Sequence, residues 1–127
     1  GVSEKEFSER LYMNLEQIQE MKAAGMFFGL HGERHYWLNH LPVEKMKEDI
    51  DNGLEYFQSV IDKDYIVMNY PYGGYNATVL DYVAKIGCKL GFSVEARHAD
   101  LSMDNPLILP RLDTNDFPPK SEQWKNM

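Results

Sequence analysis

Two histidines stand close together in the segment His31-Gly32-Glu33-Arg34-His35, directly after a short apolar run. Neutral imidazole is a good zinc ligand, and this spacing within a turn places both rings on one side of the chain. Gly32 lets the backbone turn sharply after a strand. The pattern predicts a metal site with His31 and His35 as ligands; the alternative is two surface or hydrogen-bonding histidines.

A second polar segment, Tyr70-Pro71-Tyr72-Gly73-Gly74-Tyr75-Asn76, also follows an apolar run. Its glycines can adopt positive φ and expose backbone N–H groups, which can contact a substrate. Its tyrosines offer flat, amphipathic faces that suit sugar rings. The alternative is a helix-capping turn with partly buried aromatic residues.

A third polar segment, Arg111-Leu112-Asp113-Thr114-Asn115-Asp116, follows Pro110 and another apolar run. Asp113 or Asp116 can ligate a metal, orient a histidine or bind a sugar hydroxyl, and the alternative is a solvated Asx turn. Cys88 is expected to pack beside Leu90, because no partner that would activate its thiol is visible. The remaining polar candidates are not ranked by the sequence: Glu33, Arg34, His40, Glu95, Arg97 and His98. Leu38 and Leu41 around His40 favour a packed loop over a third ligand.

Composition narrows the range of functions. The 127 residues suffice for one domain, and a net charge of −7 without a basic patch argues against nucleic acid as a partner. No apolar run reaches the roughly 18 residues that span a bilayer. Cys88 is the only cysteine, so no internal disulfide can form, and this favours a reducing, cytoplasmic compartment.

Helices and strands alternate along the predicted chain. A capping box at Asn14 and Gln17 begins a helix that Gly25 ends, Pro42 begins an apolar stripe running to Ile61, and Asn76 caps a third helix. Strands are predicted over residues 26–30, 65–70, 89–94 and 107–112, and a polar, peripheral tail begins at Phe117. Alternation of this kind indicates an α/β fold with a parallel sheet, in which sites gather at the carboxyl ends of the strands.

These segments, taken in order, resemble the polysaccharide deacetylase (NodB-homology) family from about Met13 to Arg111. His31 to His35 resembles the motif His-(Ser/Thr)-x-x-His, and Tyr70 to Asn76 resembles Arg-x-Pro-Tyr-Gly. The helix-to-strand step over residues 85–92 and the sequence Leu109-Pro110-Arg111 are similar to features that follow in the family.

The resemblance implies a parallel-stranded (β/α) barrel and hydrolysis of an acetyl group from a sugar of a polysaccharide or its precursor. It implies a divalent metal, most often zinc, held by one aspartate and two histidines, which here are His31 and His35. A second aspartate acts as the base, and a backbone N–H matching that of Tyr72 stabilises the oxyanion. Arg111 matches a basic residue of the family, and Asp113 completes the catalytic candidates.

Several departures from the family pattern stand out. Position 32 is Gly where the motif has Ser or Thr, so a loop-stabilising hydrogen bond is expected to be missing, and Asn69 or a neighbour replaces the motif's arginine. No Leu-x-His acid motif is evident, with His98 as a weak substitute. The aspartate motif Thr-Phe-Asp-Asp-Gly has no counterpart before His31. We therefore expect residues 1–127 to form a single domain that is the C-terminal portion of a deacetylase, with a partial barrel.

An incomplete barrel would expose a sheet edge, so homo-oligomers are expected.

Two other functions are considered beside the metal-dependent deacetylase, whose substrate would be an acetylated carbohydrate. One is a non-catalytic carbohydrate-binding or scaffolding domain that keeps the tyrosine-rich groove. The other is a metal hydrolase that acts on amides other than sugars.

Overall fold

The computed structural model describes residues 1–118 and 120, and the chain opens with two short capped helices. α1 (Glu4–Leu11) begins after Ser3 and α2 (Leu15–Ala23) after Asn14, each with a reciprocal capping box. The box at Asn14 is the predicted one. α1 is absent from the sequence prediction, although Ser3 and Glu6 carry the same capping signature. Neither helix buries a residue.

The strand predicted over residues 26–30 is reduced to a single bridge between Leu30 and Met68. The Met26 N–H donates to the Met21 carbonyl, and Gly25 follows α2 with a φ of 92°. This is the hydrogen-bond pattern of a Schellman cap, which uses the N–H that a strand would need. Met26 and Phe27 consequently remain exposed, whereas Leu30 is buried.

α3 (Val43–Tyr56) carries the predicted apolar stripe on its buried face. The buried positions recur at helical spacing: Met46, Asp49, Ile50 and Gly53. The helix ends earlier than the stripe predicts, because Gln58 and Val60 donate to carbonyls three residues back and tighten the chain into turns. Ile61, the last residue of the stripe, is nevertheless buried in the core.

Two parallel strands with a helix between them form the centre of the chain. β1 (Ile66–Asn69) pairs with β2 (Cys88–Phe92), with Met68 opposite Gly91. α4 (Ala77–Lys85) connects them and begins at Asn76, whose side chain accepts from the Val79 N–H. These elements lie within two residues of their predicted bounds.

The segment over residues 107–112 is not the predicted strand. The 3-10 turn Pro106–Ile108 overlaps the start of this segment, which then makes one parallel bridge, between Phe92 and Leu109. Leu109 makes both of its backbone hydrogen bonds to this side, to Gly91 and Ser93, but the next N–H that faces it, that of Arg111, donates to the Glu95 carbonyl, out of register with a continued ladder.

The described residues thus form an α/β fold in which a two-stranded parallel sheet gains one bridge at each edge. Two strands do not close a barrel, so the predicted partial barrel stays a prediction. The helices α3 and α4 cover the sheet, and the core is built from buried apolar residues of all these elements: Leu30, Leu38, Met46, Ile50, Ile61, Ile66, Met68, Tyr70, Val79, Val83 and Cys88. No helix in the described part of the chain has the length and apolar character needed to cross a membrane. Of the predicted tail, residues 119 and 121–127 lie outside the described residues.

Candidate functional site

The polar segments singled out in the sequence meet at the carboxyl end of the sheet. Leu30 pairs with Met68 and Phe92 pairs with Leu109, all in parallel. Because parallel strands have their carboxyl ends on the same side of the sheet, the residues that follow these pairings lie together at that end. His31 and Arg111 both reach Asn69, the last residue of β1.

The two histidines lie side by side in a sharply turned loop. Their ring centroids are 4.8 Å apart with an angle of 62° between the planes. Gly32 has a φ of 74° and His35 a φ of 57°, so the loop twice enters the left-handed region. Two imidazoles that share one tetrahedral zinc have centroids about 5 Å apart, given Zn–N distances of about 2.1 Å. The observed spacing is compatible with such an ion.

A hydrogen bond fixes the orientation of the His31 ring. Its Nδ1 lies 2.7 Å from the carbonyl oxygen of Asn69. A carbonyl oxygen only accepts, so Nδ1 carries the proton and donates, which leaves Nε2 with its lone pair. Histidines that bind metals commonly donate their other nitrogen to a carbonyl in this way. In its neutral form, His31 is therefore held with Nε2 free of this hydrogen bond, an arrangement that suits a metal ligand.

Asn69 also binds the predicted basic residue. Its side-chain oxygen accepts a hydrogen bond from Nη1 of Arg111 at 3.2 Å. The backbone of Arg111 is held as well, since its N–H donates to the Glu95 carbonyl at 3.0 Å. Arg111 thus shares the partner residue Asn69 with His31.

The turn Pro71–Gly73 lies beside His35. Tyr72 has a φ of 56°, and its ring meets the His35 ring at a centroid distance of 4.6 Å. On another side it stacks on Trp37 at 4.7 Å, and Trp37 in turn stacks on His40 at 5.4 Å. A continuous run of aromatic rings therefore links the turn to the histidine loop.

The three tyrosines of this segment do not form one sugar-binding face. Tyr70 is buried, and its hydroxyl donates to the Leu107 carbonyl at 2.8 Å; burial raises its pKa. Tyr75 packs against Tyr70. Tyr72 alone of the three is half exposed, at 50%. The capping-turn interpretation therefore fits Tyr70 and Tyr75.

Asp113 takes part in a local turn. Its carboxylate accepts from the Asn115 N–H at 2.8 Å, and its own N–H donates to Asp116 at 2.7 Å. The Asn115 N–H lowers the pKa of Asp113. Among the described residues, no hydrogen bond or ion pair joins either aspartate to His31, His35 or Tyr72. Their catalytic role stays a prediction, and the Asx-turn alternative describes their hydrogen bonds.

The other polar candidates also have structural partners. Arg97 pairs with Asp104 at 2.6 Å and with Glu95 at 2.8 Å, which holds the loop after β2. Cys88 is buried beside Leu90, as expected, and burial raises its thiol pKa. His40 stacks on Trp37 in a loop that Leu38 anchors in the core.

The donor set fits a metal in part. Two imidazoles are adjacent and one has a fixed tautomer, but no group of three or more His, Cys, Asp or Glu side chains with metal-binding geometry occurs in residues 1–118 and 120. A catalytic zinc ion normally has three protein ligands. The metal-ligand role of His31 and His35 therefore stays a prediction.

The sequence interpretation missed Asp49, which holds the histidine loop. Its carboxylate accepts the N–H groups of Glu33 at 3.2 Å and Arg34 at 3.0 Å. Asp49 thus holds the loop although Gly32 has no hydroxyl to make the hydrogen bond of the family motif. The sequence feature that could have identified Asp49 is its place in the apolar stripe, three residues after Met46 and next to Ile50.

Comparisons with known proteins complete the description. A family model described as polysaccharide deacetylase matches residues 7–91. No curated protein sequence matches the chain. The fold is similar to the Streptococcus pyogenes deacetylase PplD, solved in complex with acetate, at 27% identity over 84% of this chain and 47% of that one, with a TM-score of 0.74. IcaB from Ammonifex degensii is 25% identical over 81% of this chain and 49% of that one, with a TM-score of 0.61.

A third solved structure shares the fold alone. The deacetylase domain of BpsB from Bordetella bronchiseptica is 15% identical over 80% of this chain and 48% of that one, with a TM-score of 0.65. The chain therefore spans about half the length of each of these three structures.

Proposed function

The chain belongs to the polysaccharide deacetylase family, and we therefore propose that it forms part of a metal-dependent hydrolase. This enzyme removes acetyl groups from a sugar of a polysaccharide or its precursor. The observation that carries this proposal is the histidine pair, in which the Asn69 carbonyl holds His31 with Nε2 available. In the proposed site, His31 and His35 are metal ligands, with zinc as the expected ion. When bound, the metal supplies Lewis-acid polarisation of the acetyl carbonyl and lowers the pKa of a water molecule.

Tyr72 is proposed to act through its backbone. Its N–H is assigned as the donor to the oxyanion that develops when the acetyl carbonyl is attacked. Support comes from the contact between the Tyr72 ring and His35 and from the left-handed backbone that sets the direction of the turn. One donor of this kind is typically worth about 10²–10³ in turnover.

Arg111 is proposed to orient a polar group of the substrate or a carboxylate next to the histidines. Asn69 engages one Nη1 donor of the guanidinium, which carries five N–H donors in all. The remaining donors suit hydroxyl or carboxylate oxygens. Asp113 is proposed at most as a substrate-binding residue, since its carboxylate already accepts from Asn115.

We assign residues 1–127 to the C-terminal portion of a deacetylase domain, arranged as part of a (β/α) barrel. This assignment draws on the share of the similar structures that the chain spans and on the histidine pair without a third ligand in residues 1–118 and 120. A further segment would supply the third ligand and the general base. General-base catalysis is typically worth about 10²–10⁴-fold, so the chain alone is expected to deacetylate poorly or not at all.

The test measures metal binding before activity. Zinc titration by calorimetry is expected to detect weak binding to the 127-residue chain. His31→Gln and His35→Gln should abolish this binding, whereas the matched control His40→Gln should retain it. Equal binding by His31→Gln and the unaltered chain would refute the assignment of the pair.

Activity is then assayed as acetate release from an acetylated chito-oligosaccharide with zinc, together with the mass of the chain in solution. We expect little release by the chain alone, and we expect self-association, because an incomplete barrel would expose a sheet edge. A monomer with full turnover would contradict the proposed incompleteness. Tight oligosaccharide binding that is unchanged in His31→Gln and His35→Gln would instead support the non-catalytic carbohydrate-binding function.

A further inference from the structure

Asp49 is a charged residue in the interior of the fold. It lies in the middle of α3 and is 4% exposed, and the only other buried polar residue among those described is Ser93. An ionised carboxylate in such a place requires hydrogen-bond donors. The donors here are the backbone N–H groups of Glu33 and Arg34, one to each carboxylate oxygen. Both belong to the loop between the two histidines.

The loop is shaped to receive this carboxylate. Gly32 has a φ of 74°, and a Cβ built there would collide with Oδ2 of Asp49. One helical turn further along α3, a Cβ at Gly53 would lie 3.1 Å from the carbonyl carbon and oxygen of Gly32. The absence of side chains at both positions lets the helix approach the loop closely enough for Asp49 to reach its N–H groups.

A neighbouring contact holds the same loop less firmly. Nδ2 of Asn52 donates to the Glu33 carboxylate at 2.9 Å, but this pair is exposed. Both contacts have a carboxylate as acceptor, but Asp49 is nearly buried and accepts two backbone N–H groups, whereas the exposed Glu33 carboxylate accepts one side-chain N–H. Asp49 is therefore the dominant link between α3 and the loop.

The geometry points to Asp49 as the positioning residue of the histidine pair. Residues 33 and 34 lie between His31 and His35, so fixing their N–H groups limits how far the two rings can separate. The hydrogen bonds of Asp49 go to backbone N–H groups of the loop and to neither imidazole, so Asp49 acts through the backbone. Its effect on metal binding depends on the proposed function, whereas its effect on the order of the loop does not.

The key variant is Asp49→Asn, which keeps the shape of the side chain but turns one acceptor into a donor. The matched control is Asp51→Asn, which removes the same charge from the same helix. Asp51 instead accepts from the Tyr82 hydroxyl. In the unaltered chain and both variants, hydrogen exchange of the Glu33 and Arg34 amides is measured without metal, together with the thermal unfolding midpoint.

We expect Asp49→Asn to accelerate exchange of these two amides by at least tenfold more than exchange in α4. It should also weaken zinc or cobalt binding by about tenfold, within the range found when supporting contacts of metal ligands are removed. Asp51→Asn should change neither quantity. A cobalt absorption spectrum altered in Asp49→Asn alone would reveal a changed ligand arrangement that general destabilisation does not produce.

The outcomes separate the two proposals. Unchanged amide exchange in Asp49→Asn, or an equal effect of both variants, would overturn the role of Asp49. If the unaltered chain binds neither zinc nor cobalt, the proposed function fails while the exchange experiment still decides the role of Asp49. Uniform acceleration of exchange throughout the chain would also overturn it, because Asp49 would then support the whole fold and not the loop.

Discussion

Replacing Gly73 by alanine should destabilise the protein through two separable effects. Gly73 has a φ of 69°, a conformation that costs an L-residue about 1–2 kcal/mol. Alanine also makes the unfolded chain less flexible, which offsets about 0.4–1 kcal/mol of this cost, so the net loss from the backbone is about 1 kcal/mol. The new Cβ would also collide with Cγ2 of Val94 and lie 3.2 Å from its Cγ1. Overpacking in a core costs about 1–3 kcal/mol, and because Val94 is 59% exposed and can give way we take the lower end, so the total loss is about 2 kcal/mol.

Two further variants isolate these effects in urea unfolding experiments. Gly87 has a φ of 91° but open space where a Cβ would lie, so Gly87→Ala should lose only about 1 kcal/mol. Val94 is 59% exposed, so Val94→Ala alone should change stability by no more than about 0.5 kcal/mol. In the double variant, Val94→Ala should remove the collision made by Gly73→Ala. The free energy of unfolding should then fall by only about as much as in Gly87→Ala. Equal losses for Gly73→Ala and Gly87→Ala, or no recovery in the double variant, would refute this reasoning.

Three further predictions concern the core and one loop. Ile50→Ala should lower the free energy of unfolding in urea by about 2–5 kcal/mol, because Ile50 is fully buried; a loss below 1 kcal/mol would contradict its place in the core. Tyr70→Phe should cost about 1–3 kcal/mol in the same assay, because the Leu107 carbonyl loses a buried donor. Arg97 lowers the pKa of Asp104 from 3.8 to about 2, so their pairing stabilises the fold above pH 3.8 and is lost as the pH falls through about 2. The difference in thermal midpoint between Asp104→Asn and the unaltered chain should therefore vanish at the acid end, and a constant difference would contradict this.

Local signals in the sequence predict most of the regular elements. The capping residues Asn14 and Asn76 locate the starts of α2 and α4, since a side-chain cap depends only on neighbours within one turn. The apolar stripe of α3 likewise identifies its buried face. The strand predicted at Met26 fails because its N–H already closes the cap of α2, a competition between two local structures that apolar content does not reveal.

The site is predicted less completely because several of its contacts are made by the backbone. The spacing of His31 and His35 indicates their proximity, but every residue has a carbonyl, so nothing in the sequence marks that of Asn69 as the partner of His31. Asp49 is visible as a charge within an apolar stripe. Only the approach of α3 to the loop shows that its partners are backbone N–H groups.

Asn69 serves its two partners through different parts of the residue. The His31 contact uses the main chain, whereas the Arg111 contact uses the side-chain amide. A codon change at position 69 can therefore abolish the arginine contact while the histidine keeps its acceptor. Single substitutions at this position can thus remove a contact of the proposed substrate-orienting residue Arg111, whereas the hydrogen bond that orients His31 needs only the backbone of β1.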